Sequence, residues 1–349
     1  MREYEQLAEQ RLEPGVYGYY AGGAGDEWTL HENEAAFRRW VLRPRVLVDV
    51  TSVTTVTSVL GTESSMPILV APTAFHRLVH ANGEIATARA AAAAGTIMCV
   101  STLATTGAAE VAKAAPAAPR WYQLYWHPDR GLTRAIVKEA ADAGFTAVVL
   151  TVDLPVLGNR ERDLRTGFTL PDGIVPAFAR TAAYAAAKGS AVLGWTVDPS
   201  ITWRDLEWLL SLSDLPLLVK GVLTAEDALL AVEHGCAGVI VSNHGGRQLD
   251  GVPASLDALP EIVDAVGERC EVLVDGGVRR GTDVVKALAL GAKAVLVGRA
   301  VLWGLAHDGE AGVERVLELL RAETELALAL VGCASPAAVT RAHVAPAAR

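Results

Sequence analysis

Short apolar runs recur along most of the chain and alternate with amphipathic or alanine-rich segments. Most of these runs are continuously apolar rather than alternating, which is typical of parallel strands buried on both faces. Helical patterns fill the gaps, such as the stretch TAEDALLAVEHG, which opens at Thr224 with acidic residues in its first turn. The pattern predicts eight strands, over residues 67–74, 96–102, 120–126, 147–153, 216–222, 238–244, 271–277 and 294–299.

Eight consecutive strand–helix units predict an α/β fold, the TIM (β/α)8 barrel. A doubly wound sheet is the alternative, although it rarely needs so many consecutive units. We predict one domain over residues 1–349, with an N-terminal helical extension (1–66), the barrel (67–310) and C-terminal helices (311–349). The extension is expected to cap the bottom of the barrel or to supply a lid. Residues 163–200 form a long loop after the fourth strand, which at this length is typically an active-site lid or disordered.

Composition excludes several classes of protein. Hydrophobic residues make up 51% of the 349 residues, enough for a sizeable core, and a net charge of -9 argues against a nucleic-acid partner. The four cysteines are scattered, so their spacing predicts neither a metal site nor a disulfide framework and fits a reducing compartment. No signal peptide, membrane-spanning run or C-terminal peroxisomal signal is apparent, and we expect a cytoplasmic protein without a membrane partner.

Polar residues collect at the carboxyl ends of the predicted strands, where barrel enzymes carry their chemistry. A packed core would not select such residues, so the set as a whole indicates a binding site. Its members, strand by strand, are Pro72, Thr73 and Ala74; Ser101; Gln123 and Tyr125; Thr151 and Asp153; Lys220; Ser242 and His244; Asp275, Gly276 and Gly277; and Gly298 and Arg299.

The last two strands end in DGGVRRG and VGRA. The loops after strands seven and eight commonly bind phosphate in this architecture, through glycine N–H groups and a helix N-terminus. Arg279 and Arg299 are the candidate cations for the phosphate. Because no GxGxxG motif follows a strand, a mononucleotide is favoured over a dinucleotide. Flavin mononucleotide (FMN) fits, with Lys220 placed to stabilise negative charge near flavin N1.

The stretch SNHGGRQLDG ends the sixth strand and places a histidine three residues before an arginine. His244 is the candidate general base for a substrate hydroxyl, because imidazole titrates near neutral pH. Arg247 and Arg160 are candidates to bind a carboxylate. Asp153 is placed to orient the imidazole and to stabilise it once protonated. A base beside two cations predicts a 2-hydroxy acid as substrate.

At these motifs the sequence resembles the FMN-dependent 2-hydroxy acid oxidase and dehydrogenase family. SNHGGRQ is the most specific match, and YYAGGAGDEWT, APTA, YQLY, TVDLPVLGNRE, LVKG and DGGVRRGTDV extend the likeness from about residue 16 to about residue 300. The resemblance implies a TIM barrel with FMN at its top and often a homotetramer. It also implies catalytic roles for His244, Asp153 and Tyr125, and substrate contacts from Tyr19, Tyr125, Arg160, Arg247 and Leu103. Implied FMN contacts are Pro72, Thr73, Ala74, Ser101, Gln123, Thr151, Lys220, Ser242, Asp275, Gly276, Gly277, Val278, Arg279, Gly298 and Arg299.

Departures from the family bear on substrate and electron acceptor. Leu103 stands where glycolate oxidases carry a tryptophan and Phe75 follows APTA, so we expect an apolar pocket for a medium or aromatic side chain, of lactate to mandelate size. Asn159 replaces an arginine common beside Arg160. Members with alanine at the position of Ala74 tend to be oxidases, which favours O2 as the acceptor, reduced to H2O2. Three alternatives stay open: a dehydrogenase with another acceptor, a non-redox FMN-barrel isomerase and a non-catalytic flavin-binding protein.

Overall fold

A computed structural model describes residues 1–180 and 197–348. Eight parallel strands close into a barrel in which each strand pairs with its neighbours in the sequence, so the predicted TIM barrel is confirmed and the doubly wound alternative is wrong. Each strand lies inside its predicted range, and most strands end before the last residue of that range. The polar residues at the carboxyl ends do not continue the β-sheet pairing and form loops instead. The barrel strands are Ile68–Val70, Met98–Ser101, Arg120–Leu124, Ala147–Thr151, Leu217–Val222, Gly238–Val241, Glu271–Asp275 and Val295–Val297.

Burial on both faces explains why the strands are continuously apolar. Alternate residues point into the barrel, where Leu69, Trp121, Val149 and Leu218 belong to one inner cluster. The intervening residues, such as Val70, pack in a larger cluster against the helices. Both sets are excluded from water, as expected for a parallel sheet covered by crossover helices.

Helices follow the barrel strands and have local start signals in the sequence. The Thr224 side chain accepts a hydrogen bond from the backbone N–H of Asp227, which confirms the predicted start at that residue. The last helix is interrupted at Asp308 and Gly309, whose backbone angles are not helical. None of the helices in the described ranges is long and apolar enough to span a membrane. The helices that follow the barrel strands are Gly83–Ala93, Ala108–Ala114, Arg130–Asp142, Glu161–Thr166, Leu206–Leu210, Ala225–Glu233, Ser255–Val266, Gly281–Ala289 and Arg299–Val331.

The N-terminal region reaches both ends of the barrel. It contains helices Arg2–Arg11, Pro14–Ala21 and Trp28–Ala35 and a hairpin of Thr57–Val59 with Thr62–Ser64. At the bottom, Val59 joins the inner barrel cluster, and the N–H of Leu60 donates to the carboxylate of Glu271 at the start of the seventh barrel strand. At the top, Tyr19 and Tyr20 line a cavity. The region therefore closes the bottom of the barrel and also contributes to the site at its mouth.

The two ends of the chain meet in a short sheet. Strand Trp40–Leu42 pairs antiparallel with strand Val344–Pro346. The region predicted as C-terminal helices thus contains the end of helix Arg299–Val331, two short 3-10 turns at Pro336–Ala338 and Arg341–His343, and this final strand.

The segment after the fourth barrel strand, predicted over residues 163–200 as a lid, is described in part. Residues 181–196 lie outside the described residues. Before that gap the chain forms helix Glu161–Thr166 and a 3-10 turn at Ala177–Arg180. Phe168 before the gap and Val197 and Pro199 after it line the cavity at the barrel mouth. The lid role remains a prediction.

Candidate active site

A cavity of about 850 Å3 opens at the carboxyl ends of the barrel strands. All but two of the predicted site residues line it. These are Tyr19, Pro72, Thr73, Ala74, Ser101, Leu103, Gln123, Tyr125, Thr151, Arg160, Lys220, His244, Arg247, Asp275, Gly276, Gly277, Val278, Arg279, Gly298 and Arg299. The two exceptions, Asp153 and Ser242, lie directly behind the lining and contact it through hydrogen bonds.

His244 and Asp153 form the pair that the sequence predicted. The Nδ1 of His244 lies 2.8 Å from Oδ1 of Asp153. A carboxylate only accepts hydrogen bonds, so Nδ1 carries the proton and Nε2 presents a lone pair. The Nε2 atom lies 3.4 Å from the hydroxyl oxygen of Tyr125 at the cavity wall. This tautomer leaves Nε2 available to accept a proton from a molecule in the cavity.

Gly221 makes room for this pair. Its φ of 109° is in the region that favours glycine. A Cβ atom at this position would lie 2.6 Å from Cβ of Asp153, far inside van der Waals contact. The glycine of the LVKG motif therefore allows the fifth strand to pass directly beneath the carboxylate.

The environment keeps the base neutral and its partner charged. Burial lowers the pKa of His244 below its ordinary value, although the nearby Asp153 opposes the shift. Burial alone would raise the pKa of Asp153, but His244 and its hydrogen bond outweigh that effect and the pKa is lowered. Burial also raises the pKa of Tyr125, with a further contribution from Asp153. At neutral pH the site thus holds a neutral imidazole, an ionised carboxylate and a protonated phenol.

Arg160 and Arg247 lie on the same side of the cavity, beside Tyr19. The guanidinium carbons of Arg247 and Arg160 lie 5.0 Å and 6.0 Å from the centre of the Tyr19 ring. Nη1 of Arg247 donates to the backbone carbonyls of Tyr19 and Gly22, which fixes its orientation. Burial and then the charge of Arg160 lower the pKa of Arg247 to about 10. Two half-buried cations held on one side of the cavity favour an anion such as a carboxylate between them.

Lys220 links Asp275 to the backbone of His244 through Ser242. Its Nζ lies 3.1 Å from Oδ2 of Asp275 and 2.8 Å from Oγ of Ser242. The same Oγ accepts a hydrogen bond from the backbone N–H of His244. Burial alone would lower the pKa of Lys220, but Asp275 and Asp153 outweigh it and the pKa is raised. The lysine is therefore a fixed positive charge beneath the cavity.

Polar atoms around the cavity floor are arranged for a bound polar group. Nε2 of Gln123, Oγ1 of Thr151 and Oδ1 of Asp275 are buried and have no hydrogen-bond partner among the residues that the structure describes. All three residues line the cavity. Buried donors and acceptors are normally paired, so this combination indicates a ligand with both donors and acceptors. The isoalloxazine and ribityl groups of FMN carry both, and the residues present fit this cofactor.

The two arginines predicted for the phosphate also hold parts of the protein. Nε and Nη2 of Arg299 donate to the carbonyls of Tyr20, Gly22 and Gly245. Burial first, and then Arg247, lower the pKa of Arg299 to about 9. Arg279 forms an ion pair of 3.0 Å with Glu34. Both line the cavity, so each combines a tether to the N-terminal region with a position beside the predicted phosphate loop.

Several lining residues were not predicted from the sequence, and three of them bear directly on the site. Tyr20 donates its hydroxyl proton to the carbonyls of Ala74 and Phe75 and so holds the loop after the first strand. Phe168 stacks on Tyr19 with ring centres 5.0 Å apart. Asp163 faces the same cavity, and burial raises its pKa against the effect of the two arginines. None of them ends a barrel strand, so the strand-end pattern carried no signal for them.

Comparison with known proteins agrees with this site. The profile of the family described as FMN-dependent dehydrogenase matches residues 8–346. An L-lactate oxidase of Nostoc sp. is 55% identical over 95% of this chain and 93% of its own length, and a glycolate oxidase of Spinacia oleracea is 51% identical over 99% and 95%. A crystal structure of mandelate oxidase with benzoyl-formic acid is 43% identical, covers 97% of this chain and 96% of its own, and gives a TM-score of 0.89. The chain therefore belongs to the FMN-dependent dehydrogenase family, which is the 2-hydroxy acid oxidising family that its motifs resemble, and its cofactor is FMN.

Proposed function

We propose that this protein oxidises an L-2-hydroxy acid with a medium or aromatic side chain to the 2-keto acid and passes the electrons to O2, which forms H2O2. The observation that carries the proposal is the convergence of His244 Nε2, Arg160 and Arg247 on one cavity whose floor fits FMN. When bound, FMN would be the two-electron oxidant and would take up, in net terms, the α-hydrogen and the electron pair of the C–H bond that breaks. The non-redox and non-catalytic alternatives do not fit the family to which the chain belongs.

The protein's own residues supply binding and proton transfer. Arg160 and Arg247 are proposed to bind the substrate carboxylate through paired N–H donors, which fixes the α-carbon in the cavity. Neutral His244 accepts the hydroxyl proton at Nε2, and ionised Asp153 stabilises the imidazolium that results. Tyr125, protonated and 3.4 Å from Nε2, is placed to donate a hydrogen bond to the substrate oxygen.

An apolar wall supports a substrate larger than glycolate. Leu103 is half-buried in the cavity lining, where it lies with Phe75, Tyr19 and Phe168. A methyl, alkyl or phenyl group placed against these side chains is removed from water, which favours binding by about 25 cal/mol per Å2 of apolar surface. Glycolate has no side chain to place against these residues, so it gains none of this binding free energy.

O2 as the acceptor is supported by Ala74 and by the relatives. Ala74 lines the cavity on the loop after the first barrel strand, and the matched relatives are named as oxidases. We also propose that the protein is a homotetramer, which the family resemblance supports. We further propose that it is cytoplasmic, which fits four cysteines that are all unpaired thiols.

A substrate panel tests the proposal. The yellow holoenzyme is mixed anaerobically with glycolate, L-lactate, L-2-hydroxyoctanoate or L-mandelate, and the loss of flavin absorbance is followed. We expect bleaching with acids from lactate to mandelate size, followed by recovery of the colour and formation of H2O2 when oxygen is admitted. Failure of all four acids to bleach the flavin would contradict the oxidation. Bleaching with recovery only after addition of dichlorophenolindophenol would identify a dehydrogenase instead.

The Leu103→Trp substitution tests the apolar wall. An indole at this position fills space that a large substrate needs, so kcat/KM for L-mandelate is expected to fall roughly tenfold or more relative to glycolate. Steady-state kinetics with both acids measures the ratio. Leu326→Trp is the control, because Leu326 is 60% exposed on the C-terminal helix and should leave the ratio unchanged. An equal loss with both acids would show that Leu103 does not contact the substrate side chain.

A further inference from the structure

The turn that holds the histidine has an unusual backbone. His244, Gly245 and Gly246 have φ values of 58°, 66° and 74°, so three consecutive residues are left-handed. Such conformations are costly for a residue with a side chain and seldom occur in series. The turn also determines where Arg247 leaves the strand end. Something in the surrounding structure must therefore hold it.

A buried pair of asparagines holds this turn. Nδ2 of Asn33 donates to Oδ1 of Asn243 at 2.9 Å, and Nδ2 of Asn243 donates to Oδ1 of Asn33 at 2.8 Å. Both side chains are 3% exposed. The backbone N–H of Gly246 donates to the carbonyl oxygen of Asn243 at 3.0 Å and also to its Oδ1 at 3.1 Å, so the side chain reinforces the backbone bond that closes the left-handed turn. Oδ1 of Asn33 accepts the N–H of Ser255 at 3.3 Å, so backbone donors fix the orientation of both amides.

Asn33 belongs to the N-terminal extension and lies between two parts of the site. A Cβ atom on Gly276 would lie 3.3 Å from its side chain, and one on Gly277 would lie 1.9 Å from its carbonyl oxygen. The same extension packs on the turn through Leu30, whose backbone N would lie 2.6 Å from a Cβ on Gly246. One helix thus contacts both the histidine turn and the glycines of the predicted phosphate loop.

We propose that Asn33 is a positioning residue, which acts through Asn243 to hold the left-handed turn so that His244 faces Asp153 and Arg247 faces the substrate. Among the described residues, Asn33 is the only one of the N-terminal extension whose side chain hydrogen-bonds to Asn243. Replacing its amide disrupts that pairing. The turn then loses the side chain that orients Asn243, whose Oδ1 accepts a hydrogen bond from the N–H of Gly246. The inference rests on the proposed oxidation for its kinetic consequence, but not for its effect on the histidine.

Two variants remove the pairing in different ways. Asn33→Ala removes both hydrogen bonds, whereas Asn33→Asp keeps the acceptor and replaces the donor by an oxygen that faces Oδ1 of Asn243. Phe37→Leu is the control for stability, because Phe37 is a buried core residue of the same N-terminal region and is absent from the cavity lining. Each holoenzyme is prepared at saturating FMN, and its FMN affinity and melting temperature are recorded.

Kinetics provides the first measurement. With L-lactate or L-mandelate, whichever the parent oxidises faster, kcat is expected to fall roughly tenfold to a hundredfold in both Asn33 variants, since a small displacement of the base is costly. Phe37→Leu should lower the melting temperature and leave kcat close to that of the parent. Asn33 variants that lose only melting temperature, as the control does, would overturn the proposal.

Histidine NMR provides a measurement that needs no turnover. The eight histidines are labelled with 13C, and the His244 signal is identified by its loss in His244→Asn. In both Asn33 variants its titration is expected to move up toward the ordinary imidazole value, because the ring leaves its buried position. An unchanged titration would refute the positioning role even if the parent oxidised none of the acids. An inactive parent with a shifted titration would instead refute only the proposed function.

Discussion

Replacement of His244 by alanine is expected to lower kcat by about 10²- to 10⁴-fold, the range typical for removal of a general base. The variant should still bind FMN, because the unpaired polar atoms at the cavity floor belong to Gln123, Thr151 and Asp275 and not to the histidine. Stopped-flow measurement of flavin bleaching with saturating L-lactate or L-mandelate gives the rate. A rate within a factor of a few of the parent would contradict the role of His244 as base.

The pH dependence of kcat/KM is a second, independent test of His244 as the base. Because burial lowers the pKa of His244, the neutral and active form persists below pH 6.5, so kcat/KM of the parent should rise with pH only in the acid range and level off before neutrality. That limb should be absent from the residual activity of His244→Ala. His31→Ala is the matched control, since His31 is exposed, and it should reproduce both the rate and the pH profile of the parent.

Replacement of Lys220 by methionine is expected to produce the largest loss of stability. Lys220 is 4% exposed, and its removal leaves Asp275, which is 7% exposed, without its cation and with Asp153 nearby. Breaking a buried ion pair from one side typically costs about 3–5 kcal/mol. Urea unfolding of the apoproteins measures this loss without a contribution from FMN binding. A fluorescence titration should also show weaker FMN binding.

Two further variants separate charge from packing. Lys138→Met removes a lysine whose side chain is 70% exposed and pairs with Asp142 on the surface, so the change in unfolding free energy should stay within about 0.5 kcal/mol. Asp275→Asn added to Lys220→Met removes the uncompensated charge and should recover part of the lost stability. If the double variant is less stable than Lys220→Met alone, the loss does not come from the buried carboxylate.

Local sequence patterns were sufficient for the barrel strands and for most of the site. A strand buried on both faces must be continuously apolar, and the ends of parallel strands meet at one face, so Ser101, Gln123, Lys220 and His244 had to converge once the eight strands were recognised. Residue type at the strand ends was enough to suggest a base, two carboxylate-binding arginines and a phosphate site, whereas the roles of Tyr19, Tyr125 and Leu103 came from the family resemblance. They remain predictions, with the geometry as their support.

The N-terminal extension was the least predictable part from sequence. Its residues have no place in the strand–helix repeat, and the sequence left open whether they cap the bottom or cover the mouth. The structure places Val59 at the bottom and Tyr20 at the mouth, although the two residues are only 39 positions apart in the sequence.

By itself, the sequence determined the closed barrel, the set of polar residues at the strand ends and the pairing of His244 with Asp153, since these depend on residue type and on position along regular elements. Only the tertiary structure decided which side chains from outside the strand ends complete or support the site. Asn33 meets Asn243 across 210 positions of sequence, and Phe168 stacks on Tyr19 from a loop without periodicity. Such contacts depend on how non-repeating segments pack in three dimensions, and no local pattern of apolar and polar residues encodes that packing.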